Sequence, residues 1–231
     1  FHARAAKLVD GRCADRDRNA GVHGGLPRGV SAKDMMLKLC KTLGMDGGDY
    51  QVIEYTGSTI AGLEMRERMT LSNMAAELGA MAGLIGADQV TRDYIRQAGG
   101  DLDSAPEGIW QSDEGAPLRS EHRFNTAELA PQVAHPHSPA NSSDVEDADQ
   151  AKVDQAYIGA CTGAKLNDLH MAAEVLKGRK VAAGTRLLIA PASARTTAAA
   201  AADGTLAALT EAGAIMMPSG CGACSGYGAG V

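Results

Sequence analysis

Apolar and polar positions alternate with two different periods along this chain, and together they predict a mixture of helices and strands. Between residues 26 and 100 the predicted order is helix, strand, helix and helix. The predicted helices cover residues 31–43, 70–85 and 88–97, and the predicted strand covers residues 50–55. A pair resembling a capping box, Ser31 and Asp34, begins the first helix, and Gly44 ends it. Cys40 lies on the apolar side of this helix, which predicts a position in a core.

The same pattern gives five alternating elements near the other end of the chain. They are a strand at 153–159, a helix at 166–176, a strand at 185–190, a helix at 196–212 and a strand at 215–217. Connections of this β-α-β kind make the strands parallel and place helices on the sheet. The predicted fold class is therefore α/β, with three-layer units in which mainly parallel sheets are flanked by helices.

The remaining stretches lack this regular pattern. Residues 1–25 are polar and show no strong period, so we expect a poorly defined N-terminal segment. Residues 101–150 carry 11 Asp/Glu against 2 Lys/Arg and five of the eight prolines. We expect them to form a long acidic connection between two α/β units, at 26–100 and 151–231. Because the chain begins at Phe1 and stops shortly after its last cysteine, we also expect it to be an internal fragment.

Composition narrows the possible classes of protein. An apolar share of 45% supports a real core, and an aromatic share of only 3% suits layers in which small residues let helices approach a sheet closely. The net charge of −6 argues against nucleic acid as a partner, since nucleic-acid binders normally carry a basic face. Five unevenly spaced cysteines indicate a reducing compartment such as the cytoplasm, and no segment predicts membrane insertion.

Three cysteines follow predicted strands of the second unit. Cys161 comes after the first of these strands, and Cys221 and Cys224 come after the third, all among Gly, Ala, Ser and Thr. Since parallel strands present their carboxyl ends at one edge, we expect the three thiols at one edge of one sheet. Three thiolates suit an iron–sulfur cluster that keeps one iron open. A zinc site with His135 or His137 as fourth ligand, a redox pair, or buried structural thiols are the alternatives.

A second candidate pair lies in the predicted helix at 70–85. Asn73 and Glu77 are four residues apart, so a helix would place both side chains on one face. By residue type alone, the simplest interpretation is a solvated amide and an exposed carboxylate.

Three motifs resemble the aconitase superfamily. They are Tyr157-Ile-Gly-Ala-Cys-Thr-Gly-Ala-Lys-Leu-Asn-Asp-Leu169, Gly220-Cys-Gly-Ala-Cys224 and Thr70-Leu-Ser-Asn-Met-Ala-Ala-Glu-Leu-Gly-Ala80. Within the superfamily, the resemblance is strongest to the branch of 3-isopropylmalate dehydratase large subunits and their homoaconitase-like and dimethylmalate dehydratase-like relatives. The sequence departs from the family pattern at Gly163, where many members have Asn, and at Ala223, where proline is usual.

The resemblance implies a hydro-lyase that isomerises a 2- or 3-hydroxy di- or tricarboxylate, such as isopropylmalate, by dehydration and rehydration. It assigns Cys161, Cys221 and Cys224 to a 4Fe-4S cluster whose open iron acts as a Lewis acid. It also places Asn73 against that cluster and Glu77 beside the substrate, where the carboxylate can hold a proton.

For the molecule as a whole, the resemblance implies the α/β fold of the N-terminal, cluster-binding aconitase domains. It also implies a partner, a separate small subunit that carries the swivelling domain. Because other catalytic segments of the family are missing from these residues, we expect the chain to be inactive alone. A non-catalytic iron–sulfur or zinc module, and a metal-free α/β fragment, are the competing interpretations.

Overall fold

The computed structural model describes residues 5–10, 26–101, 112–113, 115–149 and 151–228. The chain divides into two compact units, Phe1–Ala148 and Asp149–Val231, and each unit has its own hydrophobic core. Both units combine helices with parallel sheets, which confirms the predicted α/β class. Within the described ranges, no helix is both long enough and apolar enough to cross a membrane.

A four-stranded parallel sheet is the framework of the first unit. Its strands are β1 (Ala5–Asp10), β2 (Val52–Thr56), β3 (Ala82–Ile85) and β4 (Ser120–Phe124). Their spatial order is β3-β2-β1-β4, and the register places Lys7 opposite both Glu54 and Glu121. The inner strand β1 comes from the N-terminal segment in which no element was expected. Its six residues include a lysine and are too few to show a clear period. Residues 11–25, including Cys13, lie outside the described part of the chain.

Among the described residues of this unit, four α-helices accompany the sheet. They are α1 (Ala32–Leu43), α2 (Ser58–Gly62), α3 (Met65–Met74) and α4 (Gln89–Gln97). The predicted start of α1 is confirmed, because the backbone N–H and the hydroxyl of Ser31 each donate to the Asp34 carboxylate at 2.7 Å. The predicted cap of α4 is confirmed too, since Asp88 accepts from the Thr91 N–H at 3.3 Å. Cys40 is fully buried in the core, as predicted.

The prediction of one continuous helix over 70–85 is wrong. After α3 the chain forms a 3₁₀ turn, Ala75–Leu78, and then enters β3. Gly79 ends the helical segment with φ +71, a left-handed conformation that glycine adopts without strain. Gly83 lies so close to Tyr55 that a Cβ on it would stand 2.9 Å from the aromatic ring. These small residues therefore mark a turn and a close approach of backbone to side chain.

The acidic stretch expected to be a connection also carries elements of the first unit. It contributes β4 to the parallel sheet and a small antiparallel sheet made of β5 (Gln132–Ala134) and β6 (Ser142–Asp144). Two hydrogen bonds anchor the small sheet to α1. The Gln132 N–H donates to Asp34 at 2.7 Å, and the Ser142 hydroxyl donates to the Leu37 carbonyl at 2.9 Å. Strands of three residues are too short to leave a readable pattern.

The second unit follows the predicted β-α-β order. Its elements are β7 (Gln155–Ile158), α5 (Leu166–Leu176), β8 (Arg186–Ile189), α6 (Ala194–Ala202), α7 (Thr205–Glu211) and β9 (Ala214–Met216). The sheet is parallel with order β7-β8-β9. The single helix predicted over 196–212 is wrong, because Gly204 at φ +85 separates α6 from α7. The Asp203 carboxylate accepts from the N–H of Thr205 at 3.0 Å and starts the new helix.

Candidate functional site

The sheet of the second unit sends two cysteine-bearing loops out at one edge. Cys161 lies in the loop after β7, and Cys221 and Cys224 lie in the loop after β9. Both strands are neighbours of β8 and run parallel to it, so all three carboxyl ends point the same way. None of the three cysteines forms a disulfide, and all are at least partly exposed.

The first of these loops, residues 159–165, is called the Cys161 loop here. Its backbone is tightly folded, with Ala160 at φ +69 and Ala164 at φ +52. A Cβ at Gly163 would stand only 2.8 Å from the carbonyl oxygen of Gly159. Glycine at this position, where the sequence departs from the family pattern, is therefore what the observed backbone requires.

The second loop, residues 218–228, is called the CxxC loop. Cys221 precedes a 3₁₀ turn that contains Cys224, and the Cys224 N–H donates to the Cys221 carbonyl at 3.0 Å. Gly226 ends the turn with φ +79. A turn this tight holds the two cysteines of the motif close together along the chain.

Tyr157, at the end of β7, connects the two loops. Its ring lies across Gly159, where a Cβ would come within 2.8 Å of ring atoms. Its hydroxyl donates toward the carbonyl oxygens of Gly220, at 3.2 Å, and Cys221, at 3.0 Å. Partial burial raises the pKa of this hydroxyl, a hydrogen bond with the Ala160 backbone opposes the rise, and the proximity of Cys224 and Cys221 adds to it. Sequence reasoning missed Tyr157, although it opens the motif that contains Cys161.

The three loop thiols do not converge on a point at which they could hold one metal ion. Among the residues that the structure describes, no three His, Cys, Asp or Glu side chains are grouped so that they could hold one metal ion. Cys40 is excluded as a ligand by its burial, which raises the pKa of its thiol to about 11, with the charge of Glu77 adding to the effect. His135, considered as a fourth zinc ligand, lies in the first unit and shares a hydrogen bond of 2.9 Å with the Ser143 hydroxyl.

Asn73 and Glu77 belong to the first unit, whereas the cysteine loops belong to the second. The expected i, i+4 relation on one α-helix is wrong, because α3 ends between the two residues and Glu77 lies in the 3₁₀ turn. Asn73 is exposed and lines a surface cavity between α3, β3 and α4. Glu77 is half-buried, and its carbonyl lies 3.9 Å from the Cys40 sulfur, which donates to it.

An ion pair that the sequence did not reveal lies beside that cavity. The Arg68 side chain is 2% exposed and donates to both carboxylate oxygens of Asp88, at 2.6 and 2.7 Å. It also donates to the carbonyls of Leu63 and Ala61, each at 2.9 Å. Hydrogen bonds from Arg68 are the main cause that lowers the pKa of Asp88. One signal in the sequence indicated that Arg68 is buried: it lies three residues before Leu71, on the buried side of α3.

Fold and cysteine loops together define an α/β protein with thiols at the carboxyl edge of a parallel sheet, and the chain belongs to the aconitase family. The model of that family, described as aconitate hydratase, matches residues 16–152 and 143–231. The resemblance read from the sequence motifs is thereby confirmed.

Particular relatives point to one branch of the family. The chain is 38% identical over 210 residues to the 3-isopropylmalate dehydratase large subunit 2 of Archaeoglobus fulgidus. It is 40% identical to the 3-isopropylmalate dehydratase large subunits of Elusimicrobium minutum and Campylobacter curvus, over 211 and 205 residues. The matches cover 91%, 91% and 88% of this chain but 50%, 50% and 48% of the relatives. The chain thus spans about half the length of the curated relatives it matches.

Proposed function

We propose that this chain is part of the large subunit of a cytoplasmic hydro-lyase. The reaction is dehydration and rehydration of a 2- or 3-hydroxy di- or tricarboxylate, such as isopropylmalate. The observation that carries the proposal is the pair of cysteine loops at one edge of the β7-β8-β9 sheet. Membership of the aconitase family supports the reaction class, and the names of the relatives support isopropylmalate as the substrate.

In this proposal Cys161, Cys221 and Cys224 hold a 4Fe-4S cluster. The donor set fits, because thiolate sulfur is the usual protein ligand of such clusters, and the three cysteines are at least partly exposed and form no disulfide. The described residues hold no group of three ligands around one metal ion, but a four-iron cluster does not need such a group, because each thiolate binds a different iron. A cluster held by three thiolates supplies one iron that is open to substrate and acts as a Lewis acid.

Side chains of the first unit serve the reaction in defined roles. Asn73 would supply amide hydrogens to cluster sulfur, and Glu77 would hold a proton on its carboxylate for the reaction. The contact from Cys40 to the Glu77 carbonyl supports this assignment, because it fixes the backbone of the 3₁₀ turn that presents the carboxylate. The Arg68–Asp88 pair in turn fixes the end of the cavity that Asn73 lines.

The proposed partner is a separate small subunit that completes the active site. The relatives are named large subunits, which supports a two-subunit enzyme. A net charge of −6 supports the further expectation that nucleic acid is not a partner. Exposed cysteines that form no disulfide suit the reducing interior of a cell.

Anaerobic reconstitution with iron and sulfide tests the cluster assignment. We expect a visible absorbance band in the wild-type chain and its loss in each of Cys161→Ser, Cys221→Ser and Cys224→Ser. Cys40→Ala is the matched control, because this thiol is buried in the other unit and should leave the band unchanged. Analysis of bound iron, sulfide and zinc in the same samples identifies the metal.

Three results would count against the proposal. A band that survives the loss of any one loop thiol would remove that residue from the ligand set. Zinc bound without sulfide would replace the hydro-lyase by a zinc module. A chain that takes up no iron, when a full-length relative also takes up none under the same conditions, would refute the cluster assignment drawn from the resemblance.

A further inference from the structure

Tyr157 is placed where its side chain does little for the core of its own unit. Side chains alternate along a strand, and its neighbours Ala156 and Ile158 pack against the core of the second unit. The Tyr157 side chain therefore leaves β7 on the other face. It bends toward the carboxyl edge of the sheet and ends beneath the CxxC loop.

Glycine occurs on both loops at the points that Tyr157 approaches. On the Cys161 loop, a Cβ at Gly159 would stand 2.8 Å from the ring. On the CxxC loop, Gly222 has φ +49, and a Cβ there would stand 3.3 Å from the Tyr157 hydroxyl oxygen. Contacts of this length are tighter than ordinary van der Waals separation, so the two glycines make room for the tyrosine.

We propose that Tyr157 is a positioning residue, which fixes the CxxC loop relative to the Cys161 loop by donating its hydroxyl hydrogen to the carbonyls of Gly220 and Cys221. The hydroxyl has one hydrogen and two acceptors within 3.2 Å, so either bond holds the loop at the same place. Hydrogen bonds such as that from Cys224 to Cys221 fold the loop internally, whereas Tyr157 reaches it from β7.

This inference builds on the proposed function, since Cys221 and Cys224 are cluster ligands there. The role proposed for Tyr157 does not require a bound metal, because its hydrogen bonds join protein atoms only. Loss of the hydroxyl should let the CxxC loop move away from the sheet edge and expose its thiols more often. The rate at which those thiols react in the metal-free protein therefore measures the effect directly.

The test compares Tyr157→Phe with the wild-type chain, both reduced and free of metal. Alkylation by iodoacetamide is followed at each cysteine by peptide mass spectrometry. We expect Tyr157→Phe to raise the rates at Cys221 and Cys224 about two- to tenfold, the effect of one ordinary hydrogen bond. The rate at buried Cys40 should not change. Tyr227→Phe is the matched control, because Tyr227 lines the same cavity without a hydroxyl bond among those described, and it should leave every rate unaltered.

A second pair of variants keeps the inference testable if Tyr157→Phe folds poorly. Gly222→Ala places a methyl group against the Tyr157 hydroxyl, whereas Gly226→Ala introduces a similar left-handed strain with no neighbour within 4 Å. Gly222→Ala should therefore increase the alkylation rate at Cys221 more than Gly226→Ala does. Equal rates in these two variants, or unchanged Cys221 and Cys224 rates in folded Tyr157→Phe, would overturn the inference.

Iron–sulfide reconstitution of the same proteins separates this inference from the proposed function. If Tyr157 positions the ligands, the visible band of Tyr157→Phe should form in lower yield or bleach faster than that of Tyr227→Phe. Faster alkylation in Tyr157→Phe, with no band in any protein, would uphold the positioning role and count against the cluster. A normal band together with wild-type alkylation rates would uphold the cluster and refute the role of Tyr157.

Discussion

At the scale of single residues, Cys40 shows how the surroundings of a thiol change its pKa. It is fully buried, and burial raises the pKa of its thiol from 9.0 to about 11, with Glu77 adding to the shift. The folded state binds the thiol proton of Cys40 more tightly than the unfolded state does, so the bound proton stabilises the folded state. This stabilisation is fully present below pH 9. It is then lost as the pH rises toward 11.

We therefore predict that the free energy of unfolding falls more steeply between pH 9 and 11 in the wild-type chain than in Cys40→Ala. The difference should approach roughly 3 kcal/mol, which is the linkage value of the pKa shift. Urea unfolding followed by circular dichroism at a series of pH values measures both slopes. Parallel slopes would show that Cys40 keeps no such proton in the folded state.

Arg68 poses a different problem, since its charge is buried and has one carboxylate as counter-charge. Replacing Asp88 by Asn keeps an oxygen that can cap α4 at Thr91 but removes the charge. We predict that Asp88→Asn lowers the free energy of unfolding by about 3 kcal/mol, because it leaves a buried guanidinium unpaired. Asp88→Ala should cost about 1 kcal/mol more through loss of the cap.

The exposed pair of Arg96 and Asp93 provides the control for this prediction. Its side chains are 57% and 50% exposed, and the two charges lie 2.8 Å apart. Asp93→Asn should change the free energy of unfolding by less than about 1 kcal/mol, as is usual for surface ion pairs. Similar losses in Asp88→Asn and Asp93→Asn, measured by urea unfolding, would contradict the importance of burial.

At the scale of elements, the sequence predicted best where local chemistry decides the structure. Ser31 with Asp34 begins α1, and Asp88 begins α4, because capping depends on neighbours within three residues. The strands β1 and β3 were missed, since they depend on partners distant in sequence.

The candidate site also has some features that the sequence predicted and others that it did not. Parallel topology was enough to predict that Cys161 and Cys221 follow strands whose carboxyl ends lie at one edge of the same sheet. The Tyr157 hydroxyl contacts a residue more than 60 positions away in the sequence. A contact between residues so far apart along the chain leaves no pattern in the sequence from which it could be predicted. Asn73 and Glu77 were predicted to share one α-helix, but α3 ends at Met74 and Glu77 lies in the 3₁₀ turn that follows.

The turn that separates α3 from β3 gives a testable case at this scale. Gly79 and Gly99 both have positive φ, but a Cβ at Gly79 would stand 2.9 Å from the Met45 carbonyl, whereas Gly99 has open space. Gly99→Ala should cost about 1 kcal/mol of conformational strain. Gly79→Ala should cost about 2 kcal/mol beyond that, because the backbone of Met45 must move.

Urea unfolding of the two alanine variants measures this difference. Since both variants add one methyl group at a left-handed position, the comparison isolates the contact with Met45. Equal midpoints would show that the turn tolerates a side chain at Gly79. The contact with Met45 would then not explain why glycine ends the helical segment.

At the scale of the whole molecule, the important feature is that the two units have separate cores. The proposed cluster ligands all lie in the second unit, and the family match extends over both. A ligand that binds only the folded state stabilises the unit that holds it by mass action. The location of the cysteines therefore predicts where in the chain the stabilisation by bound cluster appears.

We predict that iron–sulfide loading slows backbone hydrogen exchange in the strands β7 and β8 and in both cysteine loops, by about tenfold or more. This corresponds to at least about 1.4 kcal/mol of linkage free energy at a modest excess over the dissociation constant. Exchange in α1 of the first unit should stay the same, because its hydrogen bonds lie in the other core. The variant that combines Cys161→Ser, Cys221→Ser and Cys224→Ser should show no slowing anywhere. Uniform slowing across both units would mean that the bound group is not held by the second unit alone, and the ligand assignment would then have to include residues of the first.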